Sequence, residues 1–222
     1  MDTLNGDRTM LDTMADVMKT AYARNWITTR DGNVSLRRRS TPYLYITPSG
    51  VRKQHLTSES MLKLQFPEHP QSDCPWQEML RVDDEYQRKI VGLKPSGELP
   101  FHYLLQQNTN TSNRVVLHLH CTYTVAAIRR GIQLSSLITD FPELSGLTRV
   151  GPNVALIEAR TQHLGQAVYD AFGVQSDGSV SYDIVGVTGH GVVSVDVDPW
   201  KAFEHCERLE HISQIVLASG VW

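Results

Sequence analysis

Val115-Val116-Leu117-His118-Leu119-His120-Cys121 is a run of strand-forming apolar residues carrying two histidines two positions apart. Side chains alternate faces along a strand, so His118 and His120 project one way while Leu117 and Leu119 pack the other. Two neutral imidazoles side by side on a rigid strand make half of a metal site. The same spacing also suits two hydrogen-bonded core histidines. Zinc needs three or four ligands, so the rest of the chain has to supply the others.

Outward from that strand, Thr122 to Arg130 reads as a helix closed by Gly131, and Asn108 to Asn113 as the polar turn that feeds the strand. Before the turn stands Lys94-Pro95-Ser96-Gly97-Glu98-Leu99-Pro100-Phe101-His102. Ser96 is read as the cap of a helix carrying Leu99, Phe101, Tyr103, Leu104 and Leu105. Glu98 is expected in its first turn, where the helix dipole favours a carboxylate; a capping-box acid is the plain alternative. Further on, Asp183-Ile184-Val185-Gly186-Val187 is a strand that runs into Thr188-Gly189-His190-Gly191-Val192. A histidine between two glycines, with strand on both sides, has backbone freedom and little steric cover. His190 is therefore the natural third imidazole. Asp198-Pro199 starts a helix to about Ala218, with Ala202, Phe203, Cys206, Leu209, Ile212, Ile215 and Val216 as its buried stripe.

The first half of the chain reads less sharply. Residues 9–24 space Met10, Leu11, Met14, Val17, Met18 and Ala21 as an amphipathic helix, with Asp7 or Thr9 as its N-cap. Asp31-Gly32-Asn33 turns into a short strand, Arg37-Arg38-Arg39 is read as a solvated hairpin tip, and Tyr43-Leu44-Tyr45-Ile46 is a strand. Thr47-Pro48-Ser49-Gly50-Val51 is a loop rich in hydroxyls and backbone N–H groups, of a kind that can cradle an anion. Thr57-Ser58-Glu59 is expected to cap a short helix through Leu64, and residues 66–84 are irregular, with His69 and Cys74 on the surface. Val154 to Ile157 is a short strand, and Thr161 to Phe172 a helix ending at Gly173.

A chain of 222 residues, 41% hydrophobic and 20% charged, fits one globular domain over 1–222. Its net charge of −3 argues against nucleic-acid binding, which demands a basic face. Three widely spaced cysteines argue against a disulfide framework and suit a reducing cytoplasm. The polar N-terminus predicts no signal peptide, and no apolar run approaches the ~20 residues of a membrane span.

Five blocks stand in the order of one known family: Gly32-Asn33-Val34-Ser35, Ile46-Thr47-Pro48-Ser49-Gly50-Val51, Pro95-Ser96-Gly97-Glu98, His118-Leu119-His120 and Gly189-His190-Gly191-Val192. From about residue 10 to 218 the chain resembles the class II aldolase/adducin family, nearest to its L-fuculose-phosphate aldolase type. The resemblance implies a three-layer αβα fold around a largely antiparallel sheet, and a homotetramer with active sites near subunit interfaces. It implies His118, His120 and His190 as ligands of one Zn2+ per subunit, and Glu98 as the catalytic acid/base. Asn33, Thr47, Ser49, Gly50, Ser96 and Gly97 match the positions that hold the substrate phosphate. The implied reaction is retro-aldol cleavage of a small phosphorylated keto sugar through a metal-stabilised enediolate. Decarboxylation or dehydration on the same metal site is the alternative, and an adducin-like module without catalysis the more distant one. Ribulose-phosphate 4-epimerases carry Asp where Glu98 stands. Three departures stand out: Gly97 replaces a serine of the usual Ser-Ser-Glu, no tyrosine follows Tyr182 to act as proton donor, and the 66–84 loop is long.

Overall fold

The fold is described from a computed structural model over residues 2–39, 41–82, 92–107 and 110–220, with side chains from residue 8 onward. The tail at 221–222, Ser40, and parts of the 66–84 loop and the 108–113 turn lie outside the described residues.

Eight strands form one sheet in the order β4-β3-β2-β1-β5-β8-β7-β6. The histidine strand β5 (Asn113–Leu119) lies at its middle, between β1 (Asn33–Arg38) and β8 (Gly191–Asp196). Every pairing is antiparallel except that of β6 (Val150–Val154) with β7 (Ile184–Val187). β2 (Tyr43–Ile46), β3 (Leu62–Gln65) and β4 (Leu80–Arg81) complete the far side.

Strand alternation sorts the core into layers. Val115, Leu117 and Leu119 of β5 join Val34, Leu36 and Val192 against α1 (Asp2–Ala23), α3 (Thr122–Arg129) and α6 (Pro199–Ser219). Val116 faces the other way, with Val185, Val193 and Val195, onto α2 (Leu99–Gln107) and α5 (Gln162–Ala171). Each fully buried Val or Leu of these layers contributes roughly 1.5–3 kcal/mol of transfer free energy. The result is the expected three-layer αβα sandwich around a mostly antiparallel sheet. Leu44, Ile46, Leu62, Leu64, Trp76 and Tyr103 form a smaller cluster at the β2–β3 end of the sheet.

Several local expectations are corrected. The Thr57 signal caps only a single 3-10 turn at Ser58–Ser60, and Leu62–Gln65 then runs as strand β3 rather than helix. Its Leu62 and Leu64 alternate with half-buried Lys63 and Gln65, a period-2 pattern. Arg37 is not solvated: its Nη1 donates to the Gln106 and Gln107 carbonyls at 2.6 and 2.7 Å, closing the C-terminus of α2. The strand placed at 154–157 is β6 at Val150–Val154, and a short helix α4 (Leu137–Asp140) stands where the sequence reading assigned no element. The first helix begins at Asp2, so neither Asp7 nor Thr9 caps it. Ile215 of α6 is 42% exposed and leaves the buried stripe.

Candidate metal centre

His118 lies on the α2 side of β5, paired in register with Asn33 of β1 and Val193 of β8. It is fully buried, and its Nδ1 stands 2.9 Å from the Val192 carbonyl oxygen. A carbonyl only accepts, so Nδ1 carries the proton and Nε2 presents a lone pair, the tautomer that suits a metal ligand. His120 follows the last residue of β5, and His190 sits in the tight connection between β7 and β8. The three rings form a triangle with centroids 4.8, 4.8 and 5.0 Å apart. Their ligand atoms lie within 4.8 Å of one another, and His118 Nε2 is 2.9 Å from His120 Nε2. Zn–N bonds of ~2.0–2.1 Å in a tetrahedron place neighbouring nitrogens roughly 3.3 Å apart, within a small adjustment of this triangle.

Gly191 keeps the triangle open. A Cβ there would fall 2.3 Å from the Leu119 carbonyl oxygen and 3.0 Å from both the His118 and the His120 rings.

Glu98 closes the group from the other side. It stands one residue before α2 rather than in its first turn, where its backbone N–H donates to Ser96 Oγ at 3.3 Å. Its Oε1 is 3.0 Å from His190 Nε2 and its Oε2 3.4 Å from His118 Nε2. Burial by itself would raise this carboxyl, but His118, His190 and the Asn33 amide outweigh it and hold Glu98 well below the ordinary carboxylate range. Burial, reinforced by the neighbouring imidazoles, lowers His120 to about 3. Burial also lowers His118. His118 and His120 held neutral beside an ionised carboxylate, with the His190 ring completing the triangle, are the donor chemistry a divalent cation takes, so these residues fit a metal.

A cavity of about 630 Å³ opens over this floor, and Ser49, Gly50, Ser96 and Gly97 line it. Hydrogen bonding of Ser49 N to the Lys94 carbonyl at 2.8 Å and a Pro48–Pro95 bridge hold the two loops together. Asn33 also lines the cavity, but its Nδ2 donates to Glu98 Oε2 at 2.6 Å. Thr47 departs from expectation. It is fully buried, and its Oγ1 accepts from the Val34 N–H at 3.2 Å, bracing β1 against the loop instead of facing the cavity.

Residue-by-residue reading of the sequence missed four contributors. Asp31 Oδ2 is 4.0 Å from His120 Nδ1, outside hydrogen-bond range but close enough to act on its charge. Lys53 and Arg160 line the cavity. His102 is fully buried between Asn33 and Ser35, with Nε2 2.5 Å from Asn33 Oδ1 and Nδ1 2.8 Å from Ser35 Oγ. Its place four residues after Glu98, one helical turn on, was the available signal. His69 is exposed, and Cys74 Sγ donates to Gln162 Oε1, so neither joins the centre.

The fold has counterparts among known proteins. The family described as "Class II Aldolase and Adducin N-terminal domain" matches residues 12–217. YgbL from Klebsiella pneumoniae superposes with a TM-score of 0.72 at 20% identity, covering 96% of this chain and 91% of that one. The L-fuculose-1-phosphate aldolase of Thermus thermophilus gives 0.69 at 21% identity, covering 97% and 96%. At these identities the likeness is one of fold. A methylthioribulose-1-phosphate dehydratase from Aspergillus niger is 33% identical over 87 residues, 38% of this chain. The match spans only 31% of that protein's length.

Proposed function

The chain belongs to the class II aldolase and adducin family, and from that premise we propose that it is a zinc-dependent lyase that cleaves a small phosphorylated keto sugar by a retro-aldol reaction. The observation that carries the reading is the convergence of His118, His120 and His190 beside the ionised Glu98 at the floor of a polar cavity. An adducin-like module without catalysis has no use for three imidazoles gathered around one point, where burying polar groups costs free energy. When bound there, a divalent cation acts as a Lewis acid on carbonyl and neighbouring hydroxyl oxygens and stabilises the negative charge released by C–C cleavage.

The remaining chemistry falls to the chain. Glu98, ionised and next to the metal-binding nitrogens, takes the proton from the hydroxyl whose carbon is cleaved, or returns one to the carbon left behind. Asn33 holds that carboxylate by one oxygen, and the other stands 3.0 Å from His190 Nε2. Ser49, Gly50, Ser96 and Gly97 at the rim hold the phosphate handle and convert remote binding into orientation over Glu98. Dehydration on the same site is the second reading, favoured by the local likeness to the Aspergillus dehydratase.

We place the enzyme in the cytoplasm as a homotetramer with one zinc per subunit. Exposed Leu147 and Leu156 side chains, at 59% and 76%, are apolar surface such an assembly would cover. Among the described residues no helix is long and apolar enough to cross a membrane.

The test is a panel of phosphorylated ketoses and keto acids given to metal-loaded protein, with products read for dihydroxyacetone phosphate, carbon dioxide or a dehydrated sugar. Cleavage to dihydroxyacetone phosphate supports the aldolase. A dehydrated product moves the assignment to the second reading. Protein that holds no metal after reconstitution removes both.

A further inference from the structure

Arg160 occupies an unusual position. Its backbone has φ of +65°, a left-handed conformation that an L side chain adopts only when its surroundings impose it. It stands just before Thr161, whose hydroxyl accepts from the Leu164 N–H and caps α5. From there the side chain lies across Gly97: a Cβ on residue 97 would come within 2.8 Å of Arg160 Cδ and 3.2 Å of its Cγ. Those are stem atoms, not the free end of the chain. A side chain at 97 and an arginine laid over 97 therefore exclude one another.

The guanidinium is available. Half-buried Arg37 and buried Arg114 donate to backbone carbonyls, and surface Arg149 pairs with Asp183. Among the described residues Arg160 makes no hydrogen bond or ion pair, although it lines the candidate cavity together with Ser49 and Ser96. The Ser96 oxygen accepts from the Glu98 N–H, which leaves its own O–H free to donate outward. Donors thus reach the rim from three separate segments, at 49, 96 and 160. A tetrahedral phosphate ester has an oxygen for each direction, whereas a flat carboxylate offers only two. Glu158 also lines the cavity, so the lining carries one carboxylate beside its donors.

We propose that Arg160 is a specificity-determining residue of this cavity: its guanidinium binds the phosphate monoester of the substrate, in the space that Gly97 leaves by lacking a side chain. The inference rests on the phosphorylated-substrate reading above and adds to it a charged grip. A planar fork on a fixed backbone selects a dianionic phosphate over an uncharged sugar end, and more strongly than a hydroxyl does.

The experiment titrates inorganic phosphate into the zinc-loaded full-length protein and its variants, with zinc content and melting temperature recorded for each. Arg160→Ala is expected to weaken phosphate binding on the order of tenfold or more and to flatten its dependence on salt. Arg160→Lys retains the charge without the fork and recovers part of the loss. Gly97→Ser weakens binding when Arg160 is present and strengthens it in the Arg160→Ala background, so the two changes are not additive. Arg160→Gly relieves the backbone strain. It should melt no lower than the wild type while losing phosphate, which a merely structural role for Arg160 does not produce.

Unchanged phosphate affinity in Arg160→Ala, or additive effects at 97 and 160, overturns the proposal, as does wild-type protein without phosphate affinity at millimolar concentration. Turnover of a phosphorylated ketose that ignores Arg160→Ala leaves the reaction standing and removes only Arg160. Arg160-dependent phosphate binding without turnover of any ketose does the reverse.

Discussion

Asn33 and Glu98, 65 positions apart in sequence, meet at 2.6 Å between amide nitrogen and carboxylate oxygen. Because an ionised carboxylate only accepts, this contact fixes the amide: Nδ2 faces Glu98, and Oδ1 is left as an acceptor for His102. Asn33 thus positions the group proposed to move the proton. Asn33→Asp sets a second carboxylate against Glu98 and is expected to lower kcat on the order of a hundredfold, with zinc retained. Parallel measurement of metal content and kcat checks this. An unaffected kcat would falsify the positioning role.

Behind Asn33, His102 must donate from Nε2 to the amide oxygen, so its Nδ1 accepts from the Ser35 hydroxyl, and Ser35 Oγ in turn accepts from Gln106 Nε2 at 3.0 Å. Burial lowers His102 to about 3, so the ring stays neutral and keeps one tautomer. His102→Leu cuts this chain and leaves the Asn33 amide free to turn. Expected is a fall in kcat of roughly tenfold with KM nearly unchanged, and partial rescue in His102→Gln, whose amide can still donate. A KM effect alone would show that His102 shapes the cavity rather than Glu98.

Why this chain of contacts escaped sequence reading is physical. The strands and helices that positioned themselves by local signals were legible: β5, β7 and β8 by apolar runs, α5 and α6 by the caps Thr161 and Asp198. The three imidazoles followed from those elements. Strand β6 was hidden by Gly151-Pro152-Asn153, which reads as a turn. Pro152 is tolerated because β6 is the edge strand and its register slips between Val150 and Asn153. Strand β3 was hidden by its length of four residues behind a capping signal. Contacts such as Ser35 with His102 depend on which face of β1 meets which face of α2, and that is set by packing across the whole sheet. Thr47 shows the converse: its residue type suited an anion loop, and only the fold turns it inward.

Gly191 is where the backbone geometry of the candidate metal centre has least tolerance. Gly191→Ala drives a methyl to 2.3 Å from the Leu119 carbonyl and against both ring edges, so either β8 or the histidine strand has to shift. The expected outcome is loss of zinc affinity by on the order of tenfold or more, together with lowered stability. Competition with a chromogenic chelator reads the affinity. Gly189→Ala makes the control, since a Cβ there meets only Leu156 Cδ1 at 3.0 Å, although its φ of +71° adds strain. Equal zinc affinity in wild type and Gly191→Ala would mean that the rings can spread without the glycine.

Glu210 supports the centre from the opposite layer. This buried carboxylate on α6 accepts from the Tyr123 and Thr124 N–H groups at 3.0 and 2.8 Å and from Thr124 Oγ1 at 2.9 Å. It caps the N-terminus of α3, the helix that begins two residues after His120. Glu210→Ala leaves those buried donors unpaired and is expected to cost about 1–3 kcal/mol. Urea unfolding of the metal-free protein measures it. A change within ~0.5 kcal/mol, the range of ordinary surface substitutions, would show that water replaces the carboxylate.

Lys53 gives stability a pH dependence of known sign. It is 1% exposed, and its Nζ donates to the Arg30 and Val51 carbonyls at 3.0 and 3.3 Å. Burial brings its ammonium down from 10.5 to about 8, with Asp31 opposing the shift. Between pH 8 and 10.5 the unfolded chain therefore keeps a proton that the folded chain has released. Stability accordingly rises with pH across that window, while below it both states are protonated and the cost of the buried charge is constant. Lys53→Met removes that cost. It is expected to be more stable than the wild type at pH 7 by roughly 1–3 kcal/mol, and the advantage should shrink as pH climbs through the window. Comparing the two proteins cancels the titration of every other group, the imidazoles included, so urea midpoints at about pH 7 and about pH 10 suffice. A gap that is absent at the lower pH, or that widens at the higher one, shows that the carbonyl partners outweigh desolvation and that Lys53 is held charged without strain.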